Sequence, residues 1–397
     1  MRAGPAEPPD RQPPASPSPG AGQEEIRRQN LGAVLRYVHV HGPTSRAELT
    51  SRLGLNRSTI GALAADLVTA GLVTEEVPAT AGRAGRPSLV VSPRSERVYA
   101  HAVSIEPGRL RAARVGLGGH ILDRREASRV PGAALPDTVG DLARLIRAME
   151  QDPGADTVCA GGAVAVADST RGADETIPAA LGSVLGAPAP GFVTGDLADL
   201  AALAEHTRGV AAGIDDLVYL HGDPGITAGI VTGGRLVTGH GGRSGKVGHM
   251  VVNPHGHRCD CGSRGCWETE AGVAALLRRA GAPAGTDLLT VLRAAAMGDT
   301  VARSALRGVA DWLGFGVANL VNVFNPDVVV FGGTLREVYA AGAPTVRRRL
   351  DAMALPASRE HLQLRPGALG PDAPLIGAAE IAFENLLTDP LNGGVAG

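Results

Sequence analysis

Residues 249–268 read HMVVNPHGHRCDCGSRGCWE, and three of the chain's four cysteines, Cys259, Cys261 and Cys266, fall within eight residues of one another. Histidines stand just upstream at His249, His255 and His257. Three thiolates and one imidazole form a closed tetrahedral shell, which suits structural zinc. Glycines at 256, 262 and 265 let so short a loop fold back on one ion. The competing reading is a set of inert buried thiols. A disulfide is disfavoured, because Cys159 is remote and thiols of a cytosolic protein stay reduced. Spacing alone leaves the choice of histidine open.

The elements that must position this loop belong to a chain of 397 residues, long enough for two or three domains. It is 44% hydrophobic and 20% charged, an ordinary balance for a globular protein. A formal net charge of −2 excludes a wholly basic coat, so any nucleic-acid binding has to be local. Lys246 is the only lysine; the basic character is otherwise arginine. No run approaches eighteen apolar residues, so no membrane span is expected. Residues 1–23 are proline-rich, lack large apolar side chains and carry no secretory apolar stretch; they read as a disordered leader on a cytoplasmic protein.

From Glu25 the pattern changes. Ile26, Leu31, Val34, Leu35 and Val38 recur at helical spacing until His41-Gly42-Pro43 stops the helix. Ser45 with Glu48 three residues later forms a capping box for a second helix, which Gly54 breaks. Asn56 caps a third, whose inner face is Ile60, Leu63 and Leu67, extended to Val68. Two strands follow, Leu72–Val77 and Ser88–Val91, around a basic glycine-rich loop, residues 81–87. The whole reads as a winged helix-turn-helix over residues 24–95.

Its charge suits DNA. Residues 26–94 hold nine arginines against four acids, a local net of +5. The start of the third helix offers Asn56, Arg57, Ser58 and Thr59 to base edges, where arginine suits guanine and asparagine suits adenine. Arg46, Arg83 and Arg86 are further contacts, the last two suited to phosphates or a narrow minor groove. The competing reading is a protein-interaction module with a solvated arginine face.

Beyond Val98 apolar runs alternate with helical stretches. Strands are expected at Val98–Ile105, Ala112–Val115, Val158–Val166, Leu217–Leu220, Ile226–Val231 and Val328–Phe331. Helices are expected at Thr138–Gln151, Leu197–Thr207, Val273–Ala280 and Val301–Phe324. This is an α/β body with two lobes and a cleft, over residues 96–397.

The body resembles the ROK family, which groups sugar-responsive repressors with bacterial sugar kinases. The residues that carry the resemblance are Gly248-His249 followed by Cys259-Asp260-Cys261-Gly262-Ser263-Arg264-Gly265-Cys266-Trp267-Glu268, then Asn325-Pro326-Asp327 through Gly332-Gly333, then Leu375–Ala379. Ser45–Leu49 and Gly85-Arg86-Pro87 are similar to the repressor branch, since the kinases lack this module. The resemblance implies an actin-like body of two ribonuclease-H-like lobes. These would be residues 96–193 with the closing helix 375–388, and residues 194–374. It also points to His249 as the fourth metal ligand.

The kinase pattern fails at several positions. The family's first phosphate loop, Asp-x-Gly-Gly-Thr, is here Ser104-Ile105-Glu106-Pro107-Gly108. Pro107 removes an amide donor and Glu106 adds a charge that repels phosphate. The second loop has become Gly222-Asp223-Pro224-Gly225-Ile226. Gly195-Asp196 replaces Asn-Asp, so Asp196 survives as a base or as a ligand acceptor, and Lys246 replaces a sugar-binding carboxylate. Glu268 matches the family's later sugar contact, so Asp196, Lys246, His249 and Glu268 form the implied ligand site. Three readings of Lys246 compete: it pairs with Asp196 or Glu268, it binds an anionic sugar derivative, or it faces solvent. The expectation is therefore a DNA-binding regulator, a repressor of carbohydrate-related genes with no catalytic residues. It would form a homodimer or tetramer on a double-stranded operator, with a sugar, sugar phosphate or sugar acid as effector. The alternatives are a sugar kinase with divergent loops and a regulator that answers to no ligand.

Overall fold

The computed structural model describes residues 19–77, 88–130, 132–150, 156–167, 176–186, 191–223, 225–283 and 285–392. The expected leader lies outside them as far as residue 18, but its last residues do not: helix α1 runs Pro19–His41. Gln23, Glu24 and Glu25 are good helix formers, so the helix extends backward from its apolar stripe into sequence with no core of its own to bury.

Strand β1 (Thr44–Ser45), α2 (Arg46–Leu53), α3 (Arg57–Thr69), β2 (Val73–Glu76) and β3 (Val90–Pro93) complete the expected winged helix-turn-helix, with strand order β1-β3-β2. The α2 cap is half of the expected box. Ser45 Oγ accepts from the Glu48 amide at 3.1 Å, while the Glu48 carboxylate accepts from Tyr37 Oη at 3.3 Å. Two expected inward residues face out: Ile26 is 59% exposed and Val68 40%. Ile26 precedes the part of α1 that meets other elements, and Ala64 takes the inner position beside Ile60, Leu63 and Leu67, the i, i+3, i+4, i+7 set of one helical face.

The first sheet of the body comprises β4 (Val98–Glu106), β5 (Arg109–Gly116), β6 (Ile121–Ser128), β7 (Val158–Val166) and β8 (Phe192–Asp196), in the order β6-β5-β4-β7-β8. Helices α4 (Leu135–Met149) and α5 (Ile177–Leu185) pack together beside it, and α6 (Leu197–Arg208) follows β8 directly. The second sheet comprises β9 (Leu217–Gly222), β10 (Ile226–Thr232), β11 (Arg235–Leu236), β12 (Val328–Gly333) and β13 (Gln363–Pro366), in the order β11-β10-β9-β12-β13. Its helices are α7 (Trp267–Ala271), α8 (Val273–Arg279), α9 (Leu288–Ala296), α10 (Thr300–Phe324), α11 (Thr334–Met353) and α12 (Pro356–Arg359). The chain closes with α13 (Ala373–Thr388), which returns to β4 and β7 of the first sheet.

Both sheets follow one plan. Three antiparallel strands (β4-β5-β6, β9-β10-β11) are flanked by two parallel ones (β7-β8, β12-β13). That duplication is the pair of ribonuclease-H-like lobes that the resemblance implied.

The winged helix is not hung on a free linker. One apolar core runs from Leu31, Val34, Leu35 and Val38 of α1 to Leu375, Phe383 and Leu386 of α13. Arg36 adds a two-pronged ion pair to Glu384, at 3.0 and 2.7 Å. Among the described residues, no helix is long and apolar enough to cross a membrane.

Candidate functional site

The cysteine loop leaves a 3-10 turn, Val247–His249, and returns at α7. Its return is pinned by the core. Trp267 is fully buried and donates its indole N–H to the Trp312 carbonyl at 2.7 Å, so Cys266, one residue earlier, has a fixed position. Gly265 makes the fold-back possible: its φ is +73°, and a side chain there would run into the Asn253 carbonyl. The ligand atoms of His249, Cys259, Cys261 and Cys266 all lie within 4.8 Å of one another. Cys261 and Cys266 sulfurs are 3.6 Å apart, and Cys259 Sγ is 3.6 Å from His249 Nδ1. A tetrahedral site with metal–sulfur bonds of about 2.3 Å needs sulfur–sulfur separations of about 3.8 Å. Three sulfurs and an imidazole at this spacing can hold a metal, and the donor set fits zinc. Of the three candidate histidines, only His249 joins the cluster; His257 lines the neighbouring cleft and His255 is exposed.

The cluster forms one wall of a cleft of about 630 Å³, with Asp196, His221, Asp223, Arg258, Glu268 and Arg278 among its lining residues. Of the four expected ligand-site residues, Asp196, His249 and Glu268 line this cleft, and Lys246 reaches it through Asp196. Glu268 sits closest to the cysteine–histidine cluster, 2.8 Å from Cys259 Sγ and 3.4 Å from His249 Nδ1. Of the readings of Lys246, the pair with Asp196 is the one formed, at 2.9 Å. Asp196 also caps α6, accepting from the Ala198 amide at 2.9 Å.

Sequence reasoning missed His221, the last-but-one residue of β9. It lines both this cleft and a second hollow of about 400 Å³ toward α9 and α11. Burial pushes its imidazole down to about 4, so the ring is neutral near pH 7, and among the described residues its Nδ1 has no hydrogen-bond partner. A histidine ending an otherwise apolar strand, Val-Tyr-Leu-His, was the available signal.

The second hollow is lined by Glu106 and Asp223, which belong to the two loops that the resemblance matches to kinase phosphate loops. The expected first phosphate loop is a tight hairpin, with Glu106 paired across to Arg109. Glu106 accepts from Ser104 Oγ at 2.9 Å, from Arg111 Nη2 at 2.7 Å and Nε at 3.0 Å, and from Arg109 Nη2 at 3.0 Å. Burial alone would raise the Glu106 carboxyl, but the facing Arg111 and Arg109 outweigh it and hold it below the usual carboxylate range. Asp223 projects into the same space with φ of +142°, its carboxyl raised by burial and by Glu106. The arginines that could greet a phosphate already carry an internal carboxylate.

In the winged helix, Arg57 is exposed at the first position of α3. Asn56 and Ser58 are engaged with the helix start: Asn56 Oδ1 accepts from the Thr59 amide at 2.8 Å and from Ser58 Oγ at 2.7 Å. Arg46 faces inward to a two-pronged pair with Glu75 of β2. It ties the helices to the wing, and that pair competes with any contact to DNA. Arg83 and Arg86 lie outside the described residues.

A family model described as ROK family matches residues 111–385, and one described as MarR family matches residues 32–84. The chain is 24% identical over 380 residues to the xylose repressor of Bacillus subtilis (strain 168), covering 92% of this chain and 98% of that one. Among solved structures, one described as a ROK family transcriptional regulator, homolog of E. coli MLC protein, superposes with a TM-score of 0.73 at 26% identity. It covers 92% of this chain and 98% of its own. A ROK family glucokinase from Streptomyces griseus, solved with glucose and AMPPNP, gives 0.62 at 25% identity over 71% of this chain and 98% of its own.

Proposed function

Because the chain belongs to the ROK family, we propose that it is a DNA-binding transcriptional repressor of carbohydrate-related genes. A sugar or sugar derivative held in the cleft between its lobes would control it. The observation that carries this reading is the single core joining the winged helix to the body, which makes the body's lobe arrangement and the position of α3 one mechanical problem. The near full-length likeness to a repressor and to a ROK transcriptional regulator supports it, while the kinase match covers 71% of the chain.

In this reading α3 enters the major groove with Arg57 leading, and Arg83 and Arg86 reach the flanking backbone. Two copies in a homodimer or tetramer present two heads to a symmetric operator. Zinc held by His249, Cys259, Cys261 and Cys266 fixes the loop that also carries Lys246 and Glu268, and so fixes one wall of the cleft. The clamped Glu106 and the altered second loop favour a protein that binds without transferring phosphate. An effector can act only by binding one lobe arrangement better than the other.

The test is fluorescence anisotropy of the zinc-loaded protein on DNA from upstream of its own gene and on genomic fragments it selects, across a salt series. Sequence-dependent binding that weakens linearly with log salt is expected. Binding to no DNA at low salt overturns the reading. Arg57→Ala should weaken specific binding more than non-specific binding; equal loss on both would put Arg57 on phosphate.

A further inference from the structure

Helix α6 connects two places that the sequence gives no reason to associate. Its first end is in the cleft: Asp196 caps it with one carboxylate oxygen and holds Lys246 with the other. Lys246 in turn leads into the turn that places His249 in the metal cluster, with the His249 amide donating to the Lys246 carbonyl at 3.1 Å.

The other end reaches the winged helix. Arg208, in the last turn of α6, donates from Nη1 to the carbonyls of His39 (3.0 Å) and Val40 (3.4 Å) in α1 and of Gly118 (2.9 Å) after β5. Its Nε donates to Glu380 of α13 at 2.6 Å, and Glu380 Oε2 lies 3.1 Å from Nε2 of His39, a side chain with no exposure. The Gly118 amide meets the other ring nitrogen at 2.9 Å. His39 lies two residues before the end of α1, immediately ahead of the turn into β1 and α2.

Between these ends α6 is stiffly held. Leu197–Ala202, Ala204 and Glu205 are all buried. Gly377 of α13 lets the helices touch backbone to backbone, since a side chain there would strike the Leu200 carbonyl. Twelve residues make a rod of about 18 Å.

We infer that α6 is the strut through which the cleft sets the position of the DNA-binding head, with the Asp196–Lys246 pair as its latch and Arg208 as the positioning residue at its far end. A ligand hydroxyl that takes the Asp196 carboxylate competes with Lys246 and shifts the start of α6; Arg208 carries the shift into the end of α1. The ligand arm of this inference rests on the proposed sugar-responsive reading; the strut does not.

The test is a double-mutant cycle in operator affinity on the full-length zinc-loaded protein, using Lys246→Ala, Arg208→Gln and the pair. Lys246 belongs to the body, paired to the cleft residue Asp196, rather than to the head, yet Lys246→Ala should change operator affinity by at least about threefold, and the change should vanish when Arg208 is Gln. Independent effects that multiply would overturn the strut. Arg208→Lys, which keeps the charge facing Glu380 but loses the fork, should reproduce Arg208→Gln, and thermal melts exclude unfolding as the cause. A parallel arm titrates D-xylose, D-glucose and N-acetyl-D-glucosamine and their 6-phosphate or acid derivatives where these exist. A responsive sugar should change operator affinity by about tenfold in the wild type and by less than twofold in Arg208→Gln, with sugar affinity off DNA unaltered. A full response retained in Arg208→Gln also overturns the strut. A positive cycle with no responsive sugar instead overturns the ligand reading and leaves the strut standing.

Discussion

The two ends of the interlobe cleft commit their polar groups in opposite ways. At one end, donors of a sulfur–imidazole cluster converge within 4.8 Å beside a cleft of about 630 Å³. At the other, the polar groups have turned on each other: Arg109, Arg111 and Ser104 all point at Glu106. One lobe plan serves both ends, so the difference lies in side chains and in two short loops. The lesson is that one lobe plan can carry either a convergent donor cluster or a self-paired set of charges, because an internal carboxylate occupies Arg109 and Arg111 without altering the strands.

The comparison can be broken at four places, from the strongest expected effect to the weakest. Cys261→Ser should abolish stoichiometric zinc binding, read by metal analysis, and sugar binding or oligomer stability should fall with it. Unchanged zinc content, sugar affinity and assembly would remove the metal from the account. Glu106→Ala should not create a kinase; it leaves Arg111, 3% exposed, with only the more distant Asp372 carboxylate, 3.8 Å away. We expect a loss of about 3–5 kcal/mol in urea unfolding with no ADP formed. A neutral effect on stability would mean the internal anion is dispensable.

His221 sits between the two ends, and its titration gives a sharper test. Its folded value, about 4, lies below the unfolded value of about 6.5, so the unfolded chain takes up the proton first. Its contribution is intact above about pH 6.5 and is lost as pH falls toward 4. The slope is up to about 1.4 kcal/mol per pH unit. His221→Gln should flatten that part of the stability profile; an identical profile would place the ring in contact with water. The smallest effect lies outside the cleft and serves as its baseline. Asn56→Ala removes the α3 cap and should cost about 1 kcal/mol in stability of the head, without altering zinc or sugar binding.

Much of this was legible in the chain because it is local. Strand β7 and helices α6 and α10 fall within a residue of their expected limits, since apolar runs and caps such as Asp196 and Asp299 announce them. The cysteine cluster was legible for the same reason. Strand β6, Ile-Leu-Asp-Arg-Arg-Glu-Ala-Ser, was not, because an edge strand needs no apolar alternation. Helix α11 was not among the expected helices, and Gly342 and Pro344 both lie inside it. The helix runs through both, and Gly342 packs against Ala310 of α10, where a Cβ would crowd it. The Arg208–His39 contact joins residues from separate elements, and no spacing rule reaches across 169 positions. The charge count overstated the head's free positive face, since Arg27, Arg36 and Arg46 each hold an acid of the protein itself.

The most direct test of the account is release of operator DNA by sugars in the presence of ATP, with ADP followed in the same cuvette. The account predicts that a sugar or sugar derivative alters operator binding with no ADP formed and no dependence on ATP. Steady ADP production with a hexose, lost in Asp196→Ala, would contradict it and make the protein a kinase.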